Sequence, residues 1–351
     1  MIIYTRSPYF ISVNETGQIG SKLELRIWNG TGSAPTDATY TFSKSIASST
    51  QIENIYNISP FIKEYIDNVA PNFTGETDST TMWANVEVKR YKETSLGVYS
   101  LLDTVTYLGT NGFTLFTDGY NYTNPSDNFM LLSDNTKEIK YDVSKPIPYF
   151  NILINRVVGD TITASYKDLR GRNEELVSFT ATKGMLKVFV STPNIKFNKG
   201  NTLTLSYNST QYNFKVTPIC EPKYTPVVCS YINRFGGWQF LTFFKTRIDT
   251  INVKGSNFNL LPSSVDYNVQ SGQSKSFNTN GKQSVKLSSG FVPENYSDLI
   301  QDLLLSETVL LDGLPVEVKT QSTTLKTSLM DRNINYEIEF DYSFNLINNV
   351  I

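Results

Sequence analysis

Apolar and polar side chains alternate with a period of two along most of this chain, and that pattern constrains its fold more than any other feature. Residues 335–342 carry it furthest: Tyr336, Ile338, Phe340 and Tyr342 alternate with Asn335, Glu337, Glu339 and Asp341. Successive side chains of a strand point to opposite faces, so this segment offers one apolar face to a core and one wet face to solvent. Leu23, Leu25 and Ile27 make a similar row, as do Ala84, Val86 and Val88. Further rows are Leu186, Val188 and Val190, then Leu203 with Leu205, then Tyr212, Phe214 and Val216. Turn dipeptides punctuate them at Asn29-Gly30, Asn111-Gly112, Asp118-Gly119, Lys199-Gly200, Asn280-Gly281 and Asp312-Gly313. The chain is predicted to be all-β, with two or three antiparallel β-sandwich-like domains and two short helices.

The first helix is expected near 60–68, with Ser59 as N-cap, Pro60 at the first helical position, and Phe61, Ile62, Tyr65 and Ile66 as its apolar stripe. The second is expected near 294–305, where Tyr296, Leu299, Ile300, Leu303 and Leu304 recur at three- and four-residue intervals. Both stripes are of a kind that plugs the end of a sandwich. At 351 residues the chain exceeds one small sandwich. The expected domains are an N-terminal sandwich over 1–145, a second sandwich over 146–250 and a C-terminal β domain over 251–351. The first seam falls at Ser144-Lys145-Pro146-Ile147-Pro148. Within the last domain, 254–283 is rich in Ser, Asn, Gln and Gly and reads as an extended polar hairpin or arm.

Function is bounded mainly by exclusion. There is no histidine, so no Ser-His-Asp triad, Cys-His pair or His-ligated metal can be assembled from this chain. Cys220 and Cys229, the two cysteines, are too few for a Cys-only zinc site. They read as two small buried hydrophobes, although a bridge across a hairpin is geometrically open to them. No cofactor motif is present: Gly281-Lys282 lacks P-loop spacing, and no dinucleotide fingerprint or nucleophile elbow follows a strand. A net charge of -2 argues against a broad nucleic-acid footprint, and Arg170-Gly171-Arg172 is only a local cluster. No apolar run reaches the ~18 residues of a membrane span, so membrane insertion is not expected. The N-terminus has no signal-peptide pattern. The seven Asn-x-Ser/Thr sequons read as accidents of an Asn- and Thr-rich composition.

Three candidates remain. Glu337, Glu339 and Asp341 share one strand face, about 7 Å apart along it, and glycoside chemistry needs no histidine. The wholly apolar opposite row makes them the solvated face of an amphipathic strand. Asp118, Asp127 and Asp134 match no calcium loop. Tyr120-Asn121-Tyr122-Thr123 could stack against sugars, though aromatic side chains in sandwiches more often serve core or interface. The most distinctive segment is Asn233-Arg234-Phe235-Gly236-Gly237-Trp238, read as a tight bend. Its glycines would permit positive φ and close backbone approach, and Arg234 would tie the bend to carbonyls or to an acid across an interface.

That segment, with Cys220-Glu221-Pro222-Lys223 before it, is one of several ordered pieces in which the chain resembles virion structural proteins of tailed bacteriophages infecting Bacteroidetes and flavobacteria. The others are Arg6-Ser7-Pro8-Tyr9-Phe10, the 23–28 strand ending in Asn29-Gly30, and 56–66. Toward the C-terminus come Leu303-Leu304-Leu305-Ser306-Glu307, Lys326 and 335–340. The resemblance implies a β-rich, non-enzymatic subunit of the tail or baseplate, made in the bacterial host cytoplasm and arranged as a homo-oligomeric ring. Its implied partners are copies of itself and other tail or neck proteins. It brings no catalytic, cofactor-binding or metal-binding residues. A neck, collar, connector or fibre-attachment role is the alternative within the virion, and a carbohydrate-binding adhesion module for host surface glycans the alternative outside that class.

Overall fold

A computed structural model describes residues 1–47, 52–68, 81–122, 129–131, 138–142, 149–154, 161–167, 173–180, 184–189, 201–207, 210–219, 223–260, 270, 272–324 and 334–348. The chain is all-β; among the described residues its sheets are mainly antiparallel, with two parallel strand pairs, and there are two short α-helices.

In the N-terminal unit the strands are β1 (Ile2–Tyr4), β2 (Phe10–Val13), β3 (Gly20–Trp28), β4 (Tyr40–Ser45), β5 (Asn54–Asn57), β6 (Trp83–Ser95) and β7 (Val98–Thr110). Five of them form one sheet in the order β1-β7-β6-β3-β4, and β2 pairs with β5. The predicted rows behave as the alternation requires: Leu23, Leu25, Ile27, Ala84, Val86 and Val88 are all buried. They pack against Ile11 and Val13 of β2, Tyr56 of β5, and Ile58, Ile62 and Ile66, giving two layers over one core.

Helix α1 is shorter than expected, Ser59–Lys63, because Tyr65 and Ile66 donate to carbonyls only three residues back. Nor is Ser59 the N-cap. That position is Ile58, no side chain caps it, and Ser59 Oγ is buried without a hydrogen-bond partner. Asn57 Oδ1 instead accepts from the Ser59 and Tyr9 amides.

The middle strands are β8 (Phe129–Leu131), β9 (Glu138–Tyr141), β10 (Tyr149–Ile154), β11 (Thr161–Lys167), β12 (Asn173–Thr180), β13 (Gly184–Phe189), β14 (Asn201–Tyr207) and β15 (Thr210–Pro218). They form the sheets β13-β10-β8 and β12-β11-β14-β15-β9. Leu205, Phe214 and Val216 are buried. The boundary expected at 145 does not divide the sheets, since β8 pairs with β10 and β9 lies parallel to β15. Ser144 to Pro148 and the Lys199-Gly200 turn lie outside the described residues.

The C-terminal strands are β16 (Val227–Ile232), β17 (Trp238–Phe243), β18 (Arg247–Asn259), β19 (Ser274–Val292), β20 (Val309–Leu311), β21 (Leu314–Val318) and β22 (Ile334–Asn345). They make one seven-stranded sheet, β17-β16-β20-β21-β22-β19-β18. The expected boundary at 250 falls inside β18, and β16 and β17 join this sheet through β20. Pairing between strands far apart in sequence is a non-local choice that composition shifts do not report.

Tyr336, Ile338, Phe340 and Tyr342 are buried, and the Phe243 and Phe340 rings meet edge to face at 5.9 Å. Helix α2 (Tyr296–Leu304) fills this core with Tyr296, Leu299, Ile300 and Leu303. Asp312 and Gly313, at φ 46° and 86°, make the expected two-residue hairpin between β20 and β21. Asn280-Gly281 is no turn: Gly281 lies within β19 opposite Val253.

Candidate functional site

The bend predicted at 233–238 exists, and it joins all three units. Asn233 is 1% exposed and organises the turn: its amide donates to the Gly237 carbonyl at 2.9 Å, and its Oδ1 accepts from the Phe235 and Gly237 amides at 3.0 and 3.2 Å. Only Gly236 of the two glycines takes the left-handed conformation, at φ 84°. A Cβ there would lie 2.9 Å from the backbone nitrogens of Asn111 and Gly112, and one on Gly112 would lie 2.5 Å from the Arg234 carbonyl oxygen. Two glycines therefore let backbone lie directly on backbone between the bend and the end of β7. Hydrogen bonds from Phe113 N to Arg234 O (2.8 Å) and from Thr110 Oγ1 to Phe235 O (3.0 Å) lock that contact.

Arg234 finds the acid its position called for: its guanidinium meets Asp118 at 3.2 Å, while its amide donates to Asp302 of α2. Trp238 is fully buried among Ile2, Tyr4, Met82, Trp83 and Leu108 of the N-terminal unit, Leu153 of β10, and Ile232 and Leu310 of the C-terminal sheet. Its carbonyl accepts from Asn151 Nδ2 at 3.0 Å. The corner is a shared core of buried side chains.

A second tie lies beside it. Arg6 stacks over Phe113, donates to the Leu305 carbonyl at 2.7 Å and pairs with Glu307 at 3.2 Å; Lys63, the last residue of α1, reaches the other Glu307 oxygen at 3.1 Å. Burial works against the Glu307 carboxylate, but Lys63 and Arg6 outweigh it and hold its pKa below the ordinary glutamate range. Segments quoted above for the phage resemblance thus converge here: 6–10, 56–66, 233–238 and 303–307. Nothing in the linear order of the chain signalled that they would meet.

At the opposite end of the seven-stranded sheet the predicted arm is an antiparallel hairpin of β18 and β19, whose residues 261–269 and 271 lie outside the described residues. Every residue of β18 is exposed. Arg247 and Asp249 pair in register with Leu287 and Val285 of the buried core, so Ile251 and Val253, opposite Gln283 and Gly281, continue the same face. They are 60% and 63% exposed: the apolar face of the sheet runs on past its own core. Leu346 and Ile251 flank Gly281, and the exposed Phe258 and Phe277 pack edge to face at 5.6 Å. By the same alternation Ile248, and Phe258 with Phe277 opposite Ser256, fall on the other face, so the arm's apolar residues are divided between its two sides. On the other face Lys254, Lys282, Lys319, Asn252, Asn280 and Asn345 help line an open groove of about 700 Å³.

The acidic row reads as expected. Lys286 pairs with Glu337 at 2.5 Å and Lys319 with Glu339 at 2.7 Å, so these carboxylates neutralise lysines on a solvated face. Of the tyrosines, Tyr120 is 70% exposed beside Phe10, whereas Tyr122 stacks on Tyr4, so the two form no common platform. Asp118 is taken by Arg234. Cys229 is a fully buried free thiol, pushed well above its usual pKa by burial and by Asp312. Cys220, Asp127, Asp134 and Arg170 to Arg172 lie outside the described residues. Among the described residues no group of His, Cys, Asp and Glu could hold a metal ion, and no helix is long and apolar enough to cross a membrane.

No family model matches the chain, and no curated protein matches it. Among solved structures, the crystal structure of CBD12 from CALX1.2 is similar over 58% of this chain and 76% of that chain, at 12% identity and a TM-score of 0.19. A likeness that slight carries no argument about fold or function.

Proposed function

We propose that this chain is a non-enzymatic structural subunit of a tailed-phage virion that forms a multimeric ring in the tail or baseplate. The phage class rests on the sequence resemblance. The ring rests on one observation, the arm: a thirteen-residue edge strand exposed along its whole length, with the apolar face of its sheet continued onto it uncovered. β18 carries Arg247, Asp249 and Lys254 and a register shift at Lys254/Ser256, but its outer row of main-chain groups has no strand beside it among the described residues and is a template for pairing with another chain. At the other end of the same sheet the sealed corner holds three units in one arrangement, which suits a subunit whose work is geometric. Phe116 and Tyr120, 95% and 70% exposed around one short turn, are what favours glycan contact as a second reading.

The test is immunogold labelling of purified virions with antibody to this chain. Gold at the distal tail is the expected result, and gold at the neck moves the ring to a collar or connector. Absence of the chain from virion proteomes overturns the reading and leaves saturable binding on a glycan array as the next measurement.

A further inference from the structure

Among the described residues, the N-terminal sheet and the seven-stranded sheet each have one end sealed and one open. In the seven-stranded sheet β17 is buried against the other units and β18 is open. In the N-terminal sheet β1 is wholly buried, whereas β4 is largely exposed. The open strands match in side-chain character. Tyr40 and Phe42 pair in register with the buried Leu25 and Leu23, so they carry the N-terminal core's apolar face to its rim. There they remain half-buried, their rings 5.0 and 4.7 Å from that of Phe61. Ile251 and Val253 do the same for the C-terminal core. Aromatic and β-branched residues are favourable partners across paired strands.

Charge decides between partners. Residues 245–286 carry Lys245, Arg247, Lys254, Lys275, Lys282 and Lys286 against Asp249 and Asp266. Residues 1–122 carry twelve acidic and eight basic side chains. Pairing arm with arm brings like charge together, while the N-terminal unit as a whole carries the opposite sign, although the only charged residue of β4 itself is Lys44.

We infer that β18 of one copy adds to the open edge of β4 in the next, making one sheet continuous across two subunits. The inference rests on the ring reading and specifies its contact. Because the two edges belong to different surfaces, the contact is heterologous, and repetition closes a ring or extends a filament. Main-chain hydrogen bonds supply the pairing, and the two apolar rims cover one another.

Cross-linking tests this in a Cys220→Ser background, Cys229 being buried. Ser43→Cys and Thr250→Cys place exposed thiols on β4 and β18. The two variants are mixed, treated with a short bis-maleimide, and the linked peptides mapped; Thr41→Cys with Asn252→Cys repeats the test at neighbouring positions. The expected result is a 43–250 link in the mixture, in excess of links within either variant alone. A 250–250 link in its place overturns the inference in favour of arm-to-arm dimers. Rings that persist by native mass spectrometry without a 43–250 or 41–252 link overturn this pairing and leave the ring standing. A chain that is monomeric at every concentration overturns both.

Discussion

β17 and β18 follow one another in the chain yet occupy opposite ends of the same seven-stranded sheet. At the β17 end Trp238 is fully buried, and side chains from three units close over the strand. At the β18 end every residue is exposed, although Ile248, Ile251, Val253 and Phe258 are as apolar as many buried residues. Local composition separates them in part, since β17 holds no charged residue while β18 holds Arg247, Asp249 and Lys254. Supply does the rest. The N-terminal unit and β10 bring apolar surface to one end, and nothing among the described residues brings it to the other. In a folded chain, burial at a strand is decided by what arrives from elsewhere.

The comparison can be broken most forcefully at Trp238. Trp238→Ala removes one of the two buried tryptophans at the meeting of the three units and should cost about 3–5 kcal/mol in equilibrium denaturation. A loss well under ~1 kcal/mol would show that the units are not held through this core.

Gly236→Ala should be more harmful than Gly97→Ala. Both positions have φ near 80°, but only the first meets backbone at 2.9 Å, while the space around Gly97 is open. Gly97→Ala should cost about 1–2 kcal/mol for conformation alone, and Gly236→Ala clearly more. Equal shifts in melting temperature would remove close backbone approach as the constraint.

The second tie sharpens the comparison through pH. Glu307 has a folded pKa below its unfolded value, so its contribution is present above the ordinary glutamate pKa and is lost as pH falls through the depressed folded value. Its side chain is half exposed, so the effect should stay under about 1 kcal/mol. Glu307→Gln should flatten this acid limb, measured as stability against pH in parallel with the parent chain.

The smallest effect on folding is expected on the arm. Ile251→Ser with Val253→Ser should change the stability of the isolated chain by within about 0.5 kcal/mol, yet weaken self-association measured by light scattering. Unchanged association would separate the arm's apolar face from assembly.

Much of the fold was legible residue by residue. The rows at 23–27, 84–88 and 336–342 face inward as alternation requires, and Asp312-Gly313 forms its hairpin. The misses differ in cause. Ser59 has a capping residue's chemistry, but the cap position falls one residue earlier, at Ile58, and the Ser59 amide bonds to the nearby Asn57. Asn280-Gly281 has a turn's chemistry, but cross-strand pairing with β18 holds it extended, a partner from another segment overriding a local preference. The bend at 233–238 was legible as a bend from its glycines and flanking bulk. That it seats on Thr110 to Phe113 was not, because Asn111-Gly112 gives the same signal whether its turn faces water or another backbone.

The sequence by itself determined the class of fold, the direction each apolar row faces, the exclusion of histidine-dependent chemistry and the presence of a tight corner and a long arm. These follow from relations between residues one to four positions apart, where geometry leaves few choices. Tertiary structure alone decided that β16 and β17 belong to the C-terminal sheet, that Arg6, Lys63 and Glu307 meet beside the corner, and that one edge of each of two sheets stays open. The first two depend on contacts between segments far apart in the chain, Tyr231 with Val309 and Arg6 with Glu307 among them. Many such pairings satisfy the same alternation, and only the packing of whole faces against one another selects among them.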